Sequence, residues 1–275
     1  MGKEGKYKKA KILLTVFLCI CIAMLLHAIP ISENLSFKGT AFEHSKNILA
    51  ETITFPGAAF IFFIIAYTVI TVIYLKFQNN LHGNKKTKAL TYGLTIGAIW
   101  WMGMYEMSAL FFSNVLIETW TGLTDLIPIV ILILLLSKYV SNDNDKVTPP
   151  HFQLRILLLY IFIFSVIFTV GRHITLKLGI ATIFPKSPTG YFVWSILMGG
   201  VFGAAFYFLN PMSRTGSIIS STCRYVFLIF GCNWSIYVFF MIVIVGFDAL
   251  PQCLIRISTD MITTIISELL IYKYR

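Results

Sequence analysis

The sequence predicts an all-α fold, a polytopic transmembrane helix bundle of about eight helices built as two tandem four-helix repeats in the same orientation. Three observations lead there. Charged residues make up only 12% of the chain against 57% hydrophobic, with a mean hydropathy of +0.80, whereas a soluble domain carries roughly 25% charge. So little polar surface cannot face water all round, and the solvent must be largely lipid. The apolar residues fall in eight runs, most of them near the ~20 residues needed to cross a hydrocarbon core of ~30 Å. Finally, polar motifs recur along the chain at nearly one spacing.

The elements follow in order. Lys3, Lys6, Lys8, Lys9 and Lys11 precede a first run at 12–29. A basic start before an apolar run also describes a signal peptide, but this run is long and no small-x-small cleavage pattern follows it, so it reads as a retained first helix. The remaining runs are 56–75, 90–112, 120–136, 152–170, 191–209, 225–247 and 257–272. The fourth and eighth are short, and the eighth holds Asp260 and Glu268. Seven spans with an interfacial last segment is therefore the alternative. Polar loops at 79–88 and 141–150 carry Gly83 and Pro149-Pro150, and Asn210-Pro211 is read as closing the sixth run. The longest loop, 30–55, contains the sequon Asn34-Leu35-Ser36, a pattern short enough to arise by chance.

The net charge of +10 does not read as a nucleic-acid surface, because the basic residues are not one patch. They sit between the apolar runs. With the N-terminus inside and eight crossings, 16 of the 22 Lys and Arg fall on the cytoplasmic side and 6 outside, the bias of a positive-inside topology. Both termini are then cytoplasmic, in a multi-pass protein of the cell or inner membrane. The five Cys form no CxxC pair and read as small buried hydrophobes. No metal site and no cofactor is expected.

The repeat rests on spacing. Thr124-Asp125 recurs as Thr259-Asp260, and Lys138-Tyr139 recurs as Lys273-Tyr274 at the identical offset. Upstream, Gly97-Ala98-Ile99-Trp100 parallels Gly231-Cys232-Asn233-Trp234 at an offset shorter by one, Pro56 parallels Pro188, and His27 and His173 each close the first helix of a half. An even number of helices per unit keeps the two halves, 1–145 and 146–275, in one orientation, with a pseudo-two-fold axis along the membrane normal.

Ionisable residues inside a membrane are costly, so each is a candidate for function. Glu106 lies 16 residues above Leu90, about 24 Å along a helix, and could bind a cation, a proton or a polar solute group. The competing reading is a carboxylate reaching the outer interface. Asp125 and Asp260 follow threonines at the expected outer starts of helices four and eight, where capping of free backbone N–H groups is the preferred role. Glu268 belongs to a polar stripe with Asp260, Thr264 and Ser267, at helical spacing on one face. The matching face in the first half is almost bare. Such a stripe should face the bundle interior, as a solute or ion site or as an interhelical hydrogen-bond seam. On the outside, His27, Arg172 and His173 are candidates for a basic mouth, against ordinary interfacial snorkelling. Small residues at Gly93 and Gly97, and at Gly199, Gly200 and Gly203, read as close-packing faces that could also serve oligomerisation.

The sequence contains no Walker A loop, HExxH, GxSxG or SxxK. The reading for function is a small-solute or ion transporter, proton- or cation-coupled, from the symmetric architecture and the intramembrane acids. The alternatives are a membrane-embedded enzyme acting on a lipid or isoprenoid, and a non-catalytic accessory subunit. The expected partners are the bilayer and an unspecified small molecule or ion, with no nucleic acid.

Overall fold

In a computed structural model, the structure describes residues 3–29, 47–111, 113–141, 152–181 and 185–273. The sequon at 34–36 and residues 142–150 of the fourth loop lie outside them. Among the described residues every regular element is helical: α1 (Lys3–His27), α2 (Ile48–Ile53), α3 (Phe55–Phe77), α4 (Lys85–Phe111), α5 (Val115–Tyr139), α6 (Leu154–Lys177), α7 (Pro188–Ser213), α8 (Ile218–Cys223), a π-helix (Arg224–Phe230), α9 (Gly231–Val245) and α10 (Leu250–Lys273), with 3₁₀ turns at Gln78–Asn80 and Phe247–Ala249. The segments α8, π-helix and α9 run on as one 28-residue helix, Ile218–Val245.

Six helices are long and apolar enough to cross a membrane: Tyr7–His27, Phe55–Asn80, Val115–Tyr139, Leu154–Lys177, Pro188–Ser213 and Ile218–Val245. Their surfaces agree. Along α6, Leu158, Phe162, Val166, Val170 and Ile174 recur every fourth residue and are exposed, while Tyr160, Phe164, Phe168 and Arg172 recur on the opposite, buried face. An aliphatic stripe of that length left outside a folded core needs an apolar solvent. The chain is a multi-pass helical membrane protein.

Two further long helices, α4 and α10, are not among the six. In α10 the usual order is inverted. Gln252, Arg256, Asp260, Thr264, Ser267 and Glu268 are buried, and Leu254, Ile262, Ile266 and Leu269 are exposed. The polar face is turned to the protein because lipid cannot hydrogen-bond it.

Antiparallel neighbours α4–α5 and α6–α7 form the most extensive contacts, α4 also packs on α7 and α3 on α9, and α10 lies against α6 and α9. Small residues set the α6–α7 approach. A Cβ at Gly199 would stand 2.6 Å from the Ser165 Cα, and one at Gly203 would stand 2.5 Å from the Tyr160 carbonyl oxygen. Gly93 and Gly97 likewise face Val130 and Leu126 of α5. These small-residue faces are thus occupied within the chain.

Three sequence expectations are corrected. Asp125 and Asp260 cap no helix, because α5 and α10 begin at Val115 and Leu250, well ahead of them. Asn114 caps α5, accepting from the Leu116 N–H at 2.8 Å. Both aspartates sit inside helices on buried faces. The sixth run does not close at Asn210-Pro211 either. α7 continues through both to Ser213, whose Oγ donates to the Asn210 carbonyl at 2.8 Å. Finally, His173 does not close its helix, since α6 runs on to Lys177.

Candidate functional site

Apart from Lys88 of α4 and Glu118 of α5, the buried charged groups lie in three places, two of them on α10. The first is a charge cluster at mid-height of that helix. Arg172 of α6 lays its guanidinium on Asp260, Nε to Oδ1 at 2.7 Å and Nη2 to Oδ2 at 2.8 Å, while its Nη1 donates to Glu106 Oε1 of α4 at 3.1 Å. Arg256, one turn before Asp260, reaches the same Glu106 oxygen at 3.3 Å. The Trp234 indole N–H of α9 donates to Asp260 Oδ2 at 2.7 Å. Below the guanidinium stand the rings of Phe168 and Trp194, 5.2 and 5.4 Å from its carbon. All four charged residues are less than a tenth exposed. Two arginines against two carboxylates sum to zero, which is what a low-dielectric interior requires of buried charge. A small cavity of about 30 Å³, lined by Glu106, Arg256, Met104 and Tyr237, adjoins the cluster.

The second place lies between α1 and α5. Asp125 of α5 faces His27 at the end of α1, Oδ1 to Nε2 at 3.4 Å, and the same imidazole nitrogen lies 3.0 Å from the Thr124 hydroxyl. The Trp100 indole N–H is buried with no hydrogen-bond partner. Trp100 and Asp125 instead line a common void with Phe62, Phe63, Tyr237 and Phe240. The Tyr237 ring stands between the two indoles, 5.6 Å from Trp100 and 4.9 Å from Trp234.

The third place is Glu268. It is fully buried, and neither carboxylate oxygen has a hydrogen-bond partner. The Thr222 hydroxyl adjoins it, and the π-helix that carries Tyr225 packs on α10. Both hydroxyl oxygens are buried and also without a partner. The offset of the Thr-Asp pairs aligns Glu268 with Ile133, equally buried.

The candidates are therefore distributed as follows. Asp260, Arg172 and Glu106 are brought together. Glu268 shares the buried face of α10 but stands two turns nearer its C-terminus, alone. Thr264 and Ser267 are buried, but their hydroxyls bond back to the Asp260 and Thr263 carbonyls of their own helix, so they offer no donor across the interface. The basic mouth does not assemble: Arg172 is committed to the cluster, His27 to Asp125, and the His173 Nδ1 to the Thr169 carbonyl at 2.8 Å. Arg256, Trp234 and Tyr191 were not singled out from the sequence. Arg256 and Asp260 are spaced i, i+4, a signal hidden by starting the eighth run at 257 when α10 starts at Leu250. No group of three or more His, Cys, Asp or Glu that could hold a metal occurs among the described residues.

A groove of about 570 Å³ opens between α4, α5 and α7, walled by Trp101, Tyr105 and Trp194, and its polar lining includes Ser108, Ser113 and Ser187. Among the described residues no carboxylate or imidazole lines it.

Compared with known proteins, the chain matches no family model, no curated protein and no solved structure. The class of protein, a multi-pass helical bundle with a buried polar face on one long helix, is what fold and site define.

Proposed function

We propose that the protein transports a small solute or ion across the membrane, coupled to a proton or cation, and that Glu268 is the exchanging acid. One observation carries the reading: Glu268 is fully buried, and both of its oxygens lack partners. A carboxylate that served only as a structural hydrogen-bond seam would be bonded to the neighbouring helix, because burying one unsatisfied costs several kcal/mol, roughly. The Arg172–Asp260–Glu106 cluster is satisfied and balanced, so it reads as the framework that holds α10, with Glu268 as the group left open to exchange.

The architecture proposed with it has all eight long helices crossing, both termini cytoplasmic, and the halves 1–145 and 146–275 related by a pseudo-two-fold axis along the membrane normal. Exchanging the halves turns the α4–α7 contact into α9–α3 and the α1–α5 contact into α6–α10, and all four contacts are present. The same exchange turns His27–Asp125 into the Arg172–Asp260 pair, within one residue of register. An enzymatic role on lipid draws no support from the open groove, whose lining lacks an acid and a base.

The test is flux in liposomes containing the purified protein, read with a pH-sensitive and a sodium-sensitive dye under imposed gradients. The wild type should carry current or protons, and Glu268→Gln should stop it while remaining monodisperse. Equal flux in the variant, or none in the wild type under any gradient, would overturn the reading.

A further inference from the structure

Glu268 is one of three residues with buried, unpartnered oxygens on helices that pack against one another. Glu268 Oε1 and Oε2, Thr222 Oγ1 and Tyr225 Oη are all unbonded, and Glu268, Thr222 and Tyr225 are 0%, 4% and 1% exposed. Thr222 lies at the end of α8 and Tyr225 in the first turn of the π-helix, the two segments that α10 packs against here. We infer that Glu268, Thr222 and the start of the π-helix form a binding site for a dehydrated monovalent cation, sodium in preference to potassium. This rests on the reading of Glu268 as an exchanging acid and names what it exchanges.

The helix geometry makes the site. The π-helix segment that carries Tyr225 packs on α10, and nine residues on Trp234 donates to Asp260 of that helix. In an unbroken α-helix nine residues turn through about 900°, placing the two side chains on opposite sides. The π-helix between them shifts that phase. It ends at Gly231, where a Cβ would collide with the Val226 carbonyl oxygen and with the Met261 methyl of α10. Only glycine permits that approach. At an α-to-π junction the ladder changes from bonds four residues back to bonds five residues back, which can leave main-chain carbonyls free. Such carbonyls beside a carboxylate are how interrupted membrane helices hold small cations.

A proton alone accounts for less. It would neutralise the carboxylate but bring only one further O–H to the three residues. A cation takes several oxygens at once. The surround is close-packed, with Phe206 edge-on to Tyr225 at 5.0 Å and Tyr225 stacked on Phe230 at 6.1 Å. Little room favours the smaller ion. One turn nearer the helix end on the same face, Tyr272 donates to Asn210 Oδ1 at 3.3 Å and closes the site from below. No basic group pairs with Glu268 among the described residues.

The experiment is equilibrium binding of radioactive sodium to the purified full-length protein in detergent, with sodium, potassium and choline chlorides as competitors at constant ionic strength. The expected result is saturable binding displaced by sodium and little affected by potassium or choline. Glu268→Gln should abolish it, Thr222→Val should weaken it by about 10-fold or more, and Thr222→Ser should restore it. If Glu268→Gln does not elute as a folded protein, the two Thr222 variants decide. No saturable binding by the wild type, or equal affinity in Thr222→Val, would overturn the site. Proton flux that depends on Glu268 without sodium binding would sink this inference and keep the transport reading. Sodium binding without flux would do the reverse.

Discussion

The Arg172 guanidinium lies bidentate on the Asp260 carboxylate, at 2.7 and 2.8 Å, with both side chains out of contact with solvent. The pair joins α6 to α10 inside the bundle, and Glu106 brings in α4 through the same guanidinium. The helix with the most polar buried face is thereby anchored to two of its neighbours by charge as well as by packing.

Breaking that pair from one side should be costly. Arg172→Met leaves Asp260 and Glu106 with one arginine between them, and a buried uncompensated charge costs about 3–5 kcal/mol. Arg172→Met combined with Asp260→Asn should lose clearly less than the sum of the two single variants. Arg172→Lys should not rescue, because an ammonium cannot reproduce the planar fork. Unfolding in mixed detergent micelles, read by tryptophan fluorescence, measures all four.

The two indoles give a paired comparison. Trp234→Phe removes a hydrogen bond to a buried carboxylate, a loss of roughly 1.5–3 kcal/mol beyond the smaller ring. Trp100→Phe removes an N–H that bonds to nothing. The first should lower the unfolding midpoint substantially more than the second. Equal losses would mean that the Trp100 N–H and Asp125 are bridged in solution.

Gly199 and Gly203 let the α7 backbone approach that of α6. A methyl group at either meets main-chain atoms, not a flexible side-chain tip. Gly199→Ala and Gly203→Ala should each cost about 1–3 kcal/mol by overpacking, whereas Gly216→Ala, with nothing within 4 Å of the added carbon, should be nearly neutral in the same assay.

Topology is checked with reporters. Fusions that are active only in the cytoplasm should be active at both Met1 and Arg275. An external C-terminus would mean an odd number of crossings and would remove α4 or α10 from the spans.

Much of the fold was legible because a bilayer leaves few solutions. Apolar runs of about 20 residues must be helices when lipid surrounds them, and each of the eight runs falls on a long helix. The eighth began late, at 257, because Arg256 reads as the polar edge of a loop until it is known to be paired. The aspartates were misplaced as caps for a related reason. Thr-Asp is a good helix-start signal when the preceding residues are irregular, and Trp120, Thr121 and Gly122 before Asp125 offered little sign that α5 had already begun at Val115.

By itself, then, the sequence determined that the chain is a helical membrane protein, that α10 must turn a polar face inward, and that Glu268 lies on that face. Those follow from local periodicity and from the cost of polar groups in lipid. Only the tertiary structure decided which acids are satisfied. Asp260 and Glu268 stand two helical turns apart on one buried face of α10. Whether a carboxylate meets a guanidinium or meets nothing depends on what α4, α6 and the π-helix bring opposite it, from distant parts of the chain. That juxtaposition is set by helix packing and phase, which no local pattern encodes.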